Sequence, residues 1–129
     1  MSWDPYIVSL KQNPGVAEAA IFGKDGSVWS STPFFKEITP DQIRALVAVP
    51  NMGSIITLAG VKAMVLRKEE DDIILLTTIT MKSKTMEETQ HLIIGITEKA
   101  LVIGLGSPKE GCTAVVVERI AKHLKYNGY

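Results

Sequence analysis

Among the residues able to do chemistry, the large aromatics stand out by position. The chain has two tryptophans and three tyrosines. Trp3 and Tyr6 lie near one end, Tyr126 and Tyr129 near the other, and Trp29 stands alone in a short apolar run. Core aromatics normally sit mid-element among aliphatics. If two helices carrying these ends lay side by side, Trp3, Tyr6, His123 and Tyr129 would meet, with Trp29 beneath. A trough paved with indole and phenol faces suits a polyproline II ligand. Proline rings pack flat on such faces, and indole N–H and phenol O–H groups donate to carbonyls that have no internal partner. The ligand is already extended and loses little entropy on binding. Against this stands the plainer reading that the terminal rings only pin chain ends to the body; for any single ring the two are level.

No catalytic constellation is visible. His91 and His123 fall on different elements, without the spacing of a metalloprotease helix. His123 has no identifiable nucleophile to serve, and an edge hydrogen-bonding role suits it better. Cys112, the single cysteine, could sit as a thiolate at a helix start, but a small buried apolar role is favoured. It can form neither an internal disulfide nor, without three more ligands, a structural zinc site. Gly104-Leu105-Gly106 is too short for a dinucleotide loop, and no phosphate-binding loop sequence occurs. The expectation is a binding protein with no cofactor and no metal, not an enzyme.

Charge narrows the partners. Fourteen basic residues balance fourteen acidic ones, so the overall field does not favour nucleic acid and any charged partner must meet a local patch. The lone cysteine fits a reducing compartment. The start, Met1-Ser2-Trp3-Asp4-Pro5-Tyr6, lacks the basic and apolar regions of a secretory signal. The apolar runs Ile73–Leu76 and Ala114–Val117 are far too short to span a bilayer, so no transmembrane segment and a cytoplasmic location are expected. A length of 129 residues points to one domain, 1–129.

The elements that must position these groups follow from pattern. Residues 2–12 predict a short amphipathic helix with Ser2 as N-cap, Pro5 in the first turn, and Trp3, Tyr6 and Leu10 on one side; Asn13-Pro14-Gly15 ends it. Val16–Phe22 and Ser27–Ser31 read as strands joined by the turn Gly23-Lys24-Asp25-Gly26. Thr39-Pro40-Asp41-Gln42 has the form of a capping box with proline at the first helical position, and Pro50 stops that helix. Strands are expected at 55–58, 61–67, 73–80, 91–97 and 100–105, with an acidic turn at Glu69–Asp72 and a polar stretch at 81–90. Their short connections favour antiparallel pairing. A last helix, from about Cys112 to Tyr126, carries Val116, Val117, Ile120, Ala121 and Leu124 at helical spacing and ends at Gly128. The order predicts an α+β sandwich, helices packed on a single antiparallel sheet.

These blocks resemble the profilin family. Ser2-Trp3 with Tyr6 resembles its N-terminus, and Ala19 through Trp29 (AAIFGKDGSVW) its first hairpin. Thr39-Pro40 resembles the start of its second helix, and Gly60-Val61-Lys62 through Met64-Val65-Leu66-Arg67 its central strand pair. Val116 through Leu124 with Gly128-Tyr129 resembles its last helix and tail. The resemblance implies a profilin-like antiparallel sheet of about seven strands, with the terminal helices on one face and shorter helices on the other. It implies a monomeric, cytoskeletal protein that binds proline-rich proteins such as formins through Trp3, Tyr6, Trp29, His123, Leu124 and Tyr129. It also implies binding of monomeric actin, with control of its polymerisation, and of phosphoinositides.

For actin, Arg67 and Arg119 match basic positions of the family. Lys62 and Lys109 are neighbours, Gly111 matches a small residue in the preceding loop, and Lys122 lies with Arg119 off the apolar stripe. The middle of the chain departs from the family pattern, because the region after the acidic turn lacks its glycine-flanked basic hairpin. Lys82 and Lys84 keep some charge for phosphoinositides, but Glu87 and Glu88 follow them, a poor composition for a membrane patch. Two other readings remain open. One is a profilin-like or longin/roadblock-like adaptor that binds proline-rich proteins or lipids without strong actin binding. The other is a small-molecule-binding or enzymatic α+β domain.

Overall fold

Two apolar sets alternate along β1 and β7 and so decide the layers. The computed structural model describes residues 3–13, 16–33, 35, 38–47, 55–58, 61–70, 75–81, 90–106 and 113–129. In chain order the elements are α1 (Asp4–Lys11), β1 (Glu18–Gly23), β2 (Val28–Ser31), α2 (Pro40–Val47), β3 (Ile55–Leu58), β4 (Val61–Glu70), β5 (Leu75–Met81), β6 (Gln90–Ile96), β7 (Ala100–Gly106) and α3 (Thr113–Tyr126). The strands form one seven-stranded sheet in the order β2-β1-β7-β6-β5-β4-β3, antiparallel throughout.

Successive strand residues point to opposite faces. Ala19, Ile21, Ile93, Ala100 and Val102 therefore meet Ile7 and Leu10 of α1 and Val117, Ala121 and Leu124 of α3. Ala20, Phe22, Leu92, Ile94, Leu101 and Ile103 face the other way, onto Phe35, Ile38, Ile43 and Leu46. Burying each large aliphatic or aromatic side chain stabilises the fold by roughly 1.5–3 kcal/mol. Among the described residues the second face carries one helix, α2. Its capping box is formed: the Gln42 N–H donates to Thr39 Oγ1 at 3.2 Å, and the Thr39 N–H donates to Gln42 Oε1 at 3.1 Å.

One pairing breaks sequence order. β1 lies between β2 and β7, with Glu18 opposite Leu105 and Gly23 opposite Ala100. The helix that precedes β1 and the helix that follows β7 are thereby drawn over the same strands. This closure puts Trp3 next to Tyr129.

Several boundaries differ from the sequence expectation. The first helix begins at Asp4, with Trp3 rather than Ser2 in the N-cap position and no side-chain cap. The Tyr6 N–H donates to the Trp3 carbonyl at 3.1 Å, and Asp4 supplies negative charge to the first turn. β1 starts at Glu18, because Val16 closes a turn by donating to the Asn13 carbonyl at 3.0 Å. β4 runs on through Glu69 and Glu70, which pair with Leu76 and Leu75. Ladder hydrogen bonds need only backbone groups, so the hairpin outlasts the apolar pattern. The Pro14-Gly15 stop, the Pro50 stop, Cys112 and most of the 81–90 stretch lie outside the described residues.

Candidate functional site

Trp3 is the hub of an aromatic cluster built from α1, β2, α3 and the segment after α3. Its ring stacks on Trp29 with centroids 4.6 Å apart and an interplanar angle of 26°. It meets Tyr129 edge to face at 4.9 Å and lies tilted against Tyr6 at 5.5 Å. Trp29 also contacts Tyr129 at 6.1 Å. Tyr6 reaches His123 at 5.8 Å, which extends the surface along α3. The tryptophans, Tyr6 and Tyr129 are half-buried, packed on the core below yet open on one side, and His123 is exposed. Apolar faces at a partly open surface are what a ring-on-ring peptide contact requires.

The end of α3 aims Tyr129. The Tyr129 N–H donates to the Leu124 carbonyl at 2.9 Å, and the Gly128 N–H donates to the Lys125 carbonyl at 3.1 Å. This is a Schellman turn, with Gly128 in the left-handed position at φ 89°. The turn folds Tyr129 back over the helix. The Tyr129 carbonyl then accepts from Thr97 Oγ1 at 2.8 Å and from the Lys99 N–H. An ion pair between Lys125 and Glu98 at 3.5 Å joins the same two segments. Leu124, expected with the ligand-facing residues, is fully buried. It serves from below, through its packing and through the carbonyl that holds Tyr129.

The first hairpin aims Trp29. Asp25 Oδ1 accepts from the Ser27 N–H at 3.0 Å and from the Ser27 hydroxyl at 2.6 Å. The Ser27 oxygen in turn accepts the Trp29 indole N–H at 3.2 Å. The Ser27 hydroxyl, then the Ser27 N–H, hold the Asp25 carboxyl below the usual carboxylate range, with a smaller contribution from Arg44. Gly23 makes room for this relay, since a Cβ there would lie 2.5 Å from Ser27 Oγ and 2.8 Å from Trp29 Nε1. Arg44 of α2 donates to the Asp25 carbonyl at 3.1 Å and ties the turn to the opposite layer. At the other end of β2, Ser30 donates to Asp4 Oδ1 at 2.5 Å and links β2 to the first turn of α1.

These supports were not anticipated from the sequence, although Asp25 and Ser27 stand at the spacing of an Asx turn. They also change which indole can serve a ligand. The Trp29 N–H is already committed to Ser27. Among the described residues nothing accepts the Trp3 N–H, so Trp29 offers a ring face and Trp3 offers both face and donor.

The basic residues divide. A register shift between Val65 and Arg67 sets Arg67 opposite Thr78, while Val65 sits opposite Ile79. Such a bulge resets the alternation. Positions 62, 64 and 67 therefore share the face of the sheet that carries α3, whereas Ala63 and Val65 join the core of the other face. Exposed Met64 and its partner Ile55 lie on that shared face. Lys122 pairs with Glu118 at 3.1 Å along α3. Arg119 instead lines a shallow pocket with Pro5, Tyr6, Ser9, Ile120 and His123. Lys109, Gly111, Lys82 and Lys84 lie outside the described residues. Among the described residues no cluster of potential ligands could hold a metal ion, and no helix is long and apolar enough to cross a membrane.

Comparison with known proteins agrees with this geometry. The profilin family model matches residues 1–129. Profilin-1B of Acanthamoeba castellanii is 30% identical over 137 aligned positions, covering 100% of both chains. Mouse profilin IIa, solved in complex with a double repeat from the FH1 domain of mDia1, superposes with a TM-score of 0.86 at 27% identity and full coverage of both chains (100% each). Human profilin II gives a TM-score of 0.82 at 28% identity, over 97% of this chain and 99% of the other. A single antiparallel sheet with its terminal helices side by side, matched from end to end by the family's own pattern, makes this chain a member of the profilin family.

Proposed function

We propose that this chain binds polyproline II segments in the trough of Trp3, Tyr6, Trp29, His123 and Tyr129, and binds monomeric actin to regulate its polymerisation. The observation that carries the first activity is the meeting of Trp3, Trp29 and Tyr129 from three separate parts of the chain, within 4.6–6.1 Å of one another. A packed cluster of that kind, open on one side, gives proline rings flat apolar faces and gives proline carbonyls the indole N–H of Trp3, which no described residue accepts. The mouse relative captured with an FH1 double repeat supports a ligand of this class.

Actin binding is supported by family membership and by the register that sets Lys62 and Arg67 on the face shared with α3. In this reading the protein is a cytoplasmic, monomeric cytoskeletal regulator that works by binding and not by catalysis. Two assays test it. Retention on immobilised polyproline should be strong for the unaltered protein. Added protein should also slow polymerisation of pyrene-labelled actin, and Arg67→Glu should relieve that slowing. Unchanged slowing with Arg67→Glu would remove β4 from the actin surface.

A further inference from the structure

The pocket beside Tyr6 is framed by two facing pairs at helical i, i+4 spacing. Pro5 and Ser9 come from α1, Arg119 and His123 from α3, and Tyr6 and Ile120 complete the lining. Its volume is about 310 Å³, room for a large aliphatic side chain. It adjoins the aromatic trough, because Tyr6 and His123, in contact at 5.8 Å, belong to both. Its charge is one-signed. No carboxylate lines it; among the described residues Arg119 makes no ion pair, while the nearby Glu118 pairs with Lys122.

We propose that this pocket reads the residues flanking the proline core of the ligand, selecting an apolar residue followed by an acidic one; the inference rests on the polyproline reading above. The spacing follows from two helical repeats. Arg119 stands four residues of α3 from His123, about 6 Å along the axis. A polyproline II strand advances about 3.1 Å per residue. The position next to the proline stacked on Tyr6 thus lies over the pocket, and the second position lies at Arg119. A carboxylate there meets a guanidinium that no described residue pairs with, and arginine can take a carboxylate through two parallel hydrogen bonds. Arg119 would then set which proline-rich partners are preferred, a task separate from stacking on the aromatic rings.

The test is isothermal titration with a plain proline peptide and with the same peptide extended by Leu-Glu, Leu-Gln or Leu-Lys at its C-terminal end, or by the mirrored pairs at its N-terminal end, so that Leu always adjoins the prolines. For the unaltered protein in low salt, the Leu-Glu peptide should bind more tightly than the Leu-Lys peptide by about threefold or more, the effect of one exposed ion pair. The gap should shrink as salt is raised. In Arg119→Glu the order should reverse, read as the ratio of extended to plain peptide within each protein. Equal binding of all the extended peptides, or an order that survives Arg119→Glu, overturns the inference while leaving polyproline binding intact. Failure of the plain peptide to bind overturns the polyproline reading itself, and this inference with it.

Discussion

Trp3 and Tyr129 meet edge to face with ring centroids 4.9 Å apart, although they come from opposite ends of the chain. The contact exists because β1 pairs with β7, which draws α1 and α3 over the same strands. Each ring reaches it by a different device. Trp3 occupies the N-cap position of α1, and Tyr129 is turned back by the left-handed Gly128.

Truncation of the hub should weaken peptide binding while sparing the fold. Trp3→Ala removes the ring that contacts Tyr6, Trp29 and Tyr129. The expected loss is about 2 kcal/mol or more, at least tenfold in affinity. Fluorescence titration with a proline peptide measures it, and circular dichroism should show an intact sheet. Trp29→Ala should fall in the same range.

Gly128→Ala tests the Schellman turn. A Cβ at this position would touch nothing within 4 Å, so the cost is backbone strain alone, about 1 kcal/mol. Urea denaturation should show that loss. Gly128→Asn, which tolerates the left-handed region better, should lose less. Peptide affinity should drop with Gly128→Ala as Tyr129 leaves its contact with Trp3; unchanged affinity would show that Tyr129 contributes little.

Gly23→Ala should disturb Trp29 from a distance. The added methyl would fall 2.5 Å from Ser27 Oγ and 2.7 Å from Asp25 Oδ1, forcing the relay apart. The near-ultraviolet dichroism of the tryptophans should change. Ser27→Ala, which deletes the acceptor of the Trp29 N–H without crowding it, should reproduce part of the change. Identical spectra for all three proteins would contradict the positioning role of this turn.

Acid should release the same relay. The folded pKa of Asp25 lies below its ordinary value of 3.8. Its stabilising effect is therefore complete above that value and is lost as pH falls through the depressed one. Tryptophan dichroism followed from about pH 5 to about pH 2 should show a local transition ahead of or within global acid unfolding. Asp25→Asn should remove that component.

The strand and helix order was legible in the sequence because alternation and helical spacing are local properties of side-chain type. The apolar stripe of Val116, Val117, Ile120, Ala121 and Leu124 marks α3 by itself, and Thr39 with Gln42 marks the capped start of α2 by itself. The aromatic residues of the trough were legible as well, because rings of that size are out of place near chain ends. Their common surface was conditional on two helices lying side by side, and its reading as a peptide site rested mainly on the family resemblance.

Other features were decided only by tertiary structure, since each depends on distances between segments that local pattern does not encode. The β1–β7 pairing brings Trp3 to Tyr129. The burial of Leu124 turns an expected contact into a support. The close approach at Gly23 lets Ser27 take the Trp29 N–H, so the two tryptophans, alike in sequence terms, differ in what they can donate. Arg119 and Lys122, three residues apart on one helix, likewise part company: one finds Glu118 four residues back, and the other opens onto a pocket shared with α1. Side-chain chemistry is written residue by residue, but which neighbour satisfies each polar group is settled only when the layers close.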